Sequence, residues 1–200
     1  MSQHYYSKNP QTKSNPREWT DVLRGEKFRF HTDTGVFSKS EVDFGSRLLI
    51  ETFKEAEIDG PILDVGCGYG PIGMAVAKAF PHKQVHMVDV NTRAIELAKT
   101  NVEKNDISNA QIYESDGLSA VETTGFSAIL TNPPIRAGKE TIFRFYEEAA
   151  EKLADGGSLW VVIQKKQGAS STKVKLEELF GEVKVVDKKK GYFIFEARKV

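Results

Sequence analysis

Two stretches of this chain gather residue types that do chemistry. In "LDVGCGYGPIG" the carboxylate of Asp64 precedes Gly66, Gly68 and Gly70, between the apolar run "PILDV" and a run with helical spacing, "PIGMAVAKAF". Glycines at a strand-to-helix junction let the backbone take positive φ and come close to a bound molecule. By letters alone, Gly68, Gly70 and Gly73 also satisfy the dinucleotide fingerprint G-x-G-x-x-G, with Asp89 near the distance of its ribose carboxylate. Asp89 ends the run "VHMVD", where two carboxylate oxygens can read the two hydroxyls of a ribose. The second stretch, "SAILTNPPIRAGK" (residues 127–139), ends an apolar run in Asn132, Pro133 and Pro134. Neither proline can donate a backbone hydrogen bond, and their fixed φ stiffens the acceptors beside them. A tight turn and a strand terminator would account for each stretch separately. It is their occurrence together, with Asp64 and Asp89, that points to a site.

For the two stretches to meet, the elements around them must bring strand ends to one edge. "PILDVG", "KQVHMVDV", "AQIYES", "SAILTN" and "SLWVVIQ" read as short strands, and helices are expected over "PIGMAVAKAF", "NTRAIELAKTNVEKN", "ETIFRFYEEAAEKLA" and "KVKLEELFG". Pro71 suits the first turn of its helix, and Asn91 suits an N-cap, followed by the stripe Ile95, Leu97, Ala98 and Val102. The "DGG" after "EKLA" is expected to stop the fourth of these helices. Strands alternating with helices predict a mostly parallel sheet covered on both faces, because each parallel pair needs a crossover. The two β-rich runs joined by "KKKG" near the C-terminus are too closely linked to be parallel, so the last strand is expected to be antiparallel. Upstream, "FRFHTDTGVFS" reads as a strand and glycine loop, and "SEVDFGSRLLIETFKEAE" as a helix.

Composition excludes several classes. Lys plus Arg and Asp plus Glu number 28 each, so the global basic footprint of a nucleic-acid binder is absent, although residues 160–200 hold ten basic against five acidic side chains. A single cysteine, Cys67, makes no internal disulfide, and the four histidines lack ligand spacing, so no metal is expected. No apolar run is long enough for a membrane helix and the N-terminus lacks a secretory apolar core, so a cytoplasmic, non-membrane protein is expected.

As D-x-G-x-G-x-G, the residues Asp64, Gly66, Gly68 and Gly70 resemble the first motif of class I S-adenosylmethionine-dependent methyltransferases. That resemblance implies an α/β, Rossmann-like sandwich: a mostly parallel seven-stranded sheet with an antiparallel C-terminal strand. It implies S-adenosylmethionine as cofactor, its methionine end on the glycine loop, Asp89 on the ribose, and Asp116 of "ESDGLS" on the adenine amino group, although Asp-Gly is also a plain turn signal. Asn132-Pro133-Pro134-Ile135 resembles the N-P-P-aromatic motif of the amino-methylating branch, which makes these four the expected catalytic residues. An exocyclic amine is a poor nucleophile because its lone pair is delocalised. The Asn132 side chain and the Pro133 carbonyl, accepting its two hydrogens, would favour the rehybridised state. Ile135 departs from the motif: it offers an apolar face where relatives stack an aromatic ring on the base.

With "NPPIRAG", the segment "GVFSKSEVDFGSRLL" resembles the small-subunit ribosomal RNA guanine-N2 methyltransferases, a likeness that covers residues from about 25 to 200. It implies an N-terminal arm (1–25), a methyltransferase domain (26–200), and ribosomal RNA or the small ribosomal subunit as partner. Gly35, Phe37 and Ser38 would line the cofactor or substrate pocket, and Arg136 and Lys139 would reach a phosphate or a guanine edge. Some relatives carry a second, degenerate copy of the domain, which is not expected here. Methylation of a protein glutamine or another amino acceptor, a non-catalytic RNA-binding relative and a nicotinamide-binding oxidoreductase are the alternatives. Monomer and homodimer both stay open.

Overall fold

The computed structural model describes residues 6–200. In chain order its elements are β1 (Arg17–Leu23), β2 (Glu26–Thr32), α1 (Phe44–Thr52), β3 (Ile62–Val65), α2 (Pro71–Ala79), β4 (Val85–Asp89), α3 (Thr92–Lys104), β5 (Ala110–Glu114), β6 (Phe126–Thr131), α4 (Lys139–Lys152), β7 (Leu153–Gln164), α5 (Ala169–Leu179), β8 (Glu182–Lys189) and β9 (Tyr192–Arg198). Seven strands form one sheet in the order β5-β4-β3-β6-β7-β9-β8. The five from β5 to β7 are parallel, while β9 runs antiparallel to both β7 and β8.

Helices lie on both faces, which is why β3 and β6 are buried throughout instead of alternating. Successive residues of each strand point to opposite sides. Ile62, Ala128, Leu130, Trp160 and Val162 pack with α1, α2, α3 and the β1–β2 hairpin; Leu63, Ile129, Leu159, Val161 and Phe195 pack with α4 and α5. Two helix starts are fixed by side chains that satisfy orphan N–H groups. Asp43 accepts from the Ser46 N–H at 3.0 Å to begin α1, and Asn91 accepts from Ala94 N–H at 3.2 Å to begin α3.

Residues 1–5 of the N-terminal arm expected over 1–25 lie outside the described residues, and the remainder carries a strand. Residues 17–23 form β1, paired with β2 from Arg17 opposite Thr32 to Leu23 opposite Glu26. Trp19 joins the core side of this hairpin, with its ring 4.9 Å from Phe30 and 5.8 Å from Tyr69, and its indole N–H bonded to Thr32 Oγ1 and the Lys39 carbonyl. The other edge of β2 is closed by α3. Asn101 exchanges hydrogen bonds with the N–H and C=O of His31 (2.7 and 3.0 Å), and Asn105 does the same with Arg29 (2.9 and 2.7 Å). Two amides four residues apart on a helix thus stand in for a neighbouring strand.

Among the described residues no helix is long and apolar enough to cross a membrane, and no three His, Cys, Asp or Glu side chains cluster as metal ligands.

Candidate active site

The chain order reverses between β3 and β6, and ligands of open α/β sheets bind where this happens, beyond the C-terminal strand ends. Val65 and Thr131 are partners across these strands, and Thr131 Oγ1 donates to the Val65 carbonyl at 3.0 Å. One residue further on, the glycine turn begins at Gly66 and the Asn-Pro-Pro run begins at Asn132. The two chemical stretches therefore meet as neighbours, about one strand spacing apart. Between them lies a cavity of about 470 Å³.

The glycines divide their work. Gly66 and Gly68 hold φ of 73° and 57°, and a Cβ built on either would meet nothing within 4 Å, so both open space above the turn. A Cβ on Gly70 would lie 3.0 Å from Met87 Cε, and one on Gly73 2.5 Å from Met87 Cγ. These two serve the close approach of α2 to β4, and Gly70, expected at the cofactor, stands off the cavity wall. Asp64 also stands behind the wall. Its Oδ2 accepts from the Gly73 N–H at 2.9 Å, whereas its Oδ1 is buried with no partner among the described residues. Burial pushes this carboxyl up to about 7; the Gly73 N–H opposes that rise and the nearby Asp89 charge adds to it. An uncompensated carboxylate oxygen behind an open turn is costly, and a bound cationic group or an ordered water relieves that cost.

Asp89 does line the cavity. Its two oxygens accept from the Gly68 and Asn91 N–H groups, each at 2.8 Å, which fixes the carboxylate and ties it to the turn. Asp116 does not line it. Its Oδ1 accepts from Tyr6 Oη and Arg144 Nη2, both at 2.8 Å. Burial acts against this carboxylate, but Arg144 and Tyr6 outweigh it and hold the group below its ordinary range. The neighbours Ser115 and Gly117 form the wall instead, with Tyr6 and Phe145 beside them at a ring distance of 6.4 Å.

At the other end, the geometry of Asn132 is decided by chemistry. Its Nδ2 donates to Asp43 Oδ2 at 3.1 Å and to Ser46 Oγ at 3.0 Å. A carboxylate cannot donate, so the amide nitrogen must face Asp43 and the amide oxygen must face away, into the cavity that Asn132 lines. Pro134 uses its carbonyl on the Ala137 N–H at 2.8 Å, while no donor among the described residues reaches the Pro133 carbonyl. Pro133, Pro134, Ile135, Arg136, Phe37 and Ser38 line the cavity; Gly35 and Lys139 do not. The Gly35 carbonyl accepts from Asn91 Nδ2, and Lys139 lies over the Phe143 ring at 5.1 Å.

Sequence reasoning missed Asp43, Ser46, Tyr6 and Tyr192 as parts of the wall. Asp43 carries a helix-capping signal, but its bond to a side chain 89 residues away leaves no trace in local spacing. Tyr6 reaches the wall because the segment after it is strapped down: the Lys8 carbonyl accepts from Thr92 N–H, and Arg93 bonds the carbonyls of Pro10 and Thr12.

Comparison with known proteins places the chain in a family. An uncharacterised Bacillus subtilis protein, YbxB, is 58% identical over 201 residues and covers 100% of both chains. Ribosomal RNA small subunit methyltransferase C of Vibrio cholerae is 34% identical over 182 residues, which are 88% of this chain and 51% of that protein. Ribosomal RNA large subunit methyltransferase G of Serratia proteamaculans is 32% identical over 185 residues, 89% of this chain and 48% of that protein. The structure of Thermus thermophilus 16S rRNA N2 G1207 methyltransferase (RsmC) with AdoMet and guanosine superposes with a TM-score of 0.83 at 28% identity, over 96% of this chain and 52% of that one. The chain thus spans about half the length of these named methyltransferases. The methyltransferase small domain model matches residues 27–196, from the second hairpin strand to the last strand of the sheet, and the chain belongs to that family.

Proposed function

We propose that this chain transfers a methyl group from S-adenosylmethionine to an exocyclic amine, guanine N2 of small-subunit ribosomal RNA. The observation that carries the reading is the amide of Asn132, held by Asp43 and Ser46 so that its oxygen faces the cavity opened by the glycine turn. The residues present fit the cofactor: open space over Gly66 and Gly68 for its amino-acid end, the unpartnered Asp64 Oδ1 behind that turn, and Asp89 for the ribose hydroxyls. When bound, S-adenosylmethionine supplies an electrophilic methyl group on a sulfonium. Ser115 and Gly117, not the Asp116 carboxylate, flank the purine end of the cavity in this arrangement.

The chain's own work is done on the amine. Asn132 Oδ1 and the Pro133 carbonyl each accept one of its hydrogens, which turns the nitrogen lone pair out of conjugation and toward the methyl donor. The same acceptors stabilise the positive charge that grows on nitrogen during transfer. Asp43 keeps the amide from inverting, and the two prolines keep the backbone acceptor from moving. Likeness to RsmC, whose structure holds guanosine, supports guanine N2; likeness to the large-subunit methyltransferase supports ribosomal RNA more broadly.

Ribosomal subunits from a strain lacking the protein, incubated with the chain and tritiated cofactor, should take label into small-subunit RNA as N2-methylguanine. Label confined to the large subunit, to protein or to DNA rejects the assignment. Asn132→Ala should slow transfer by about 10²- to 10³-fold and leave S-adenosylhomocysteine affinity intact.

A further inference from the structure

The position after Asn-Pro-Pro is Ile135, a branched side chain in the cavity wall that packs partly against the α4–α5 core and offers no ring to a base. The sheet topology brings a ring to the same end from another direction. Because β9 is antiparallel, its first residue lies at the edge where the parallel strands finish: Tyr192 stands opposite Gln164, the last residue of β7. The Lys165 N–H bonds the Gly191 carbonyl at 2.8 Å and pins the β8–β9 turn to that edge.

The ring is placed by the same helical turn that holds Asn132. A Cβ at Gly45 would lie 2.8 Å from Tyr192 Cε1, so only glycine admits the ring there, and Phe44 meets it at 5.4 Å with an interplanar angle of 49°. Asp43 and Ser46, on either side of those two residues, are the anchors of the Asn132 amide. Four consecutive residues thus fix both an amine acceptor and an aromatic ring, and both line one cavity. Lys189 pairs with Tyr192 across β8 and β9, Lys190 lies over the Phe44 ring at 4.8 Å, Lys165 follows β7 at the same edge and Arg136 lines the cavity, so this rim is basic, as a phosphate backbone requires.

We propose that Tyr192 is the stacking face for the nucleobase whose amine is methylated, supplying from β9 the ring that Ile135 lacks. This rests on the function proposed above. Base stacking on an aromatic ring is tolerant of ring identity, so the face matters and the hydroxyl does not.

The test compares wild type with Tyr192→Phe, Tyr192→Leu and Tyr192→Met. Small-subunit ribosomal RNA from a strain lacking the protein is the substrate in steady-state methylation, and the same RNA is the ligand in filter binding with S-adenosylhomocysteine present. Tyr192→Leu and Tyr192→Met should each weaken RNA binding and raise KM by about 10- to 100-fold, the worth of one stack. Tyr192→Phe should stay within about twofold of wild type, and S-adenosylhomocysteine affinity within about twofold in all three. RNA affinity and KM unchanged in the Leu and Met variants, with wild type active, overturn this inference and leave the proposed function standing. A Phe variant as weak as Leu also overturns it, because the hydroxyl and not the ring face would then be at work. A wild-type chain that transfers no methyl group to RNA overturns both.

Discussion

Replacing Asp43 separates the positioning of the acceptor from the acceptor itself. Asp43 Oδ2 receives two hydrogen bonds, from Ser46 N–H at 3.0 Å and from Asn132 Nδ2 at 3.1 Å, and Asp43→Ala removes both. The first is a helix cap, worth about 0.5–2 kcal/mol, so a thermal midpoint lower by roughly 2–6 °C is expected for a chain of this size. The second sets the amide orientation. With Asp43 present, inversion forfeits a charge-assisted bond of about 1.5–3 kcal/mol and points oxygen at oxygen, which keeps the inverted form below roughly one part in ten. Without it only Ser46 Oγ remains, a group that can donate or accept, so the two orientations become nearly equal in energy. That alone costs about a factor of two in active molecules, and a freed rotamer adds about 0.5–1 kcal/mol. A fall in single-turnover rate of about 5- to 10-fold is therefore expected, well short of the 10²–10³ typical when a preorganised transition-state partner is deleted, as in Asn132→Ala. Asp43→Asn, whose oxygen can take both bonds, should lose less than about threefold. If Asp43→Ala falls as far as Asn132→Ala, the carboxylate takes part in the chemistry and the positioning argument is wrong. If it matches wild type, Asn132 is held by something else.

Asp64 binds a proton in the folded chain up to about pH 7, but in the unfolded chain only up to its ordinary carboxylate range near 4. The folded state therefore binds more protons across that window, and the stability Asp64 contributes falls as pH rises through it. Thermal midpoints without cofactor should depend less on pH between 5.5 and 8 in Asp64→Asn than in wild type; superimposable profiles contradict the shift. Gly66→Ala puts a methyl group into open space at a φ of 73°, at a strain of about 1–2 kcal/mol. Its main effect should be on S-adenosylhomocysteine, with calorimetric affinity down by at least about tenfold; retained affinity means that the ligand lies elsewhere. Arg93→Ala removes bonds to Thr34, Pro10 and Thr12. Amide exchange over residues 8–14 should speed up and cofactor affinity should fall as Tyr6 leaves the wall; unchanged exchange shows that the strap is held by its other contacts.

The elements that read most clearly in the sequence are those with strong periodicity and a chemical stop. Pro71 does open α2, Asn91 does cap α3, and the run after "KKKG" is antiparallel. β1 is illegible because its outward residues are polar and only Trp19 and Leu23 turn inward; Val22 stays exposed. The "DGG" expected to end a helix lies inside β7, where the pairing jumps from Phe126–Leu153 to Ala128–Ser158 as a bulge. At the site, residue types were readable but the directions of their side chains were not. Asp64, in β3, and Gly70, at the end of the glycine turn, stand where expected in the chain yet face α2, and Asp116 is claimed by Arg144, 28 residues on, through an ion pair that no local pattern announces.

The pair Asn101 and Asn105 imposes an order on biosynthesis. The hairpin is made early, but the amides that close its open edge arrive 70 and 76 residues later. At ordinary elongation rates this is a gap of roughly 4 to 15 s, during which a nascent ribbon has unpaired N–H and C=O groups to offer any passing extended peptide. Replacing either asparagine by an apolar residue would prolong that adhesive interval into the finished molecule, and self-association, more than lost activity, would be its first symptom.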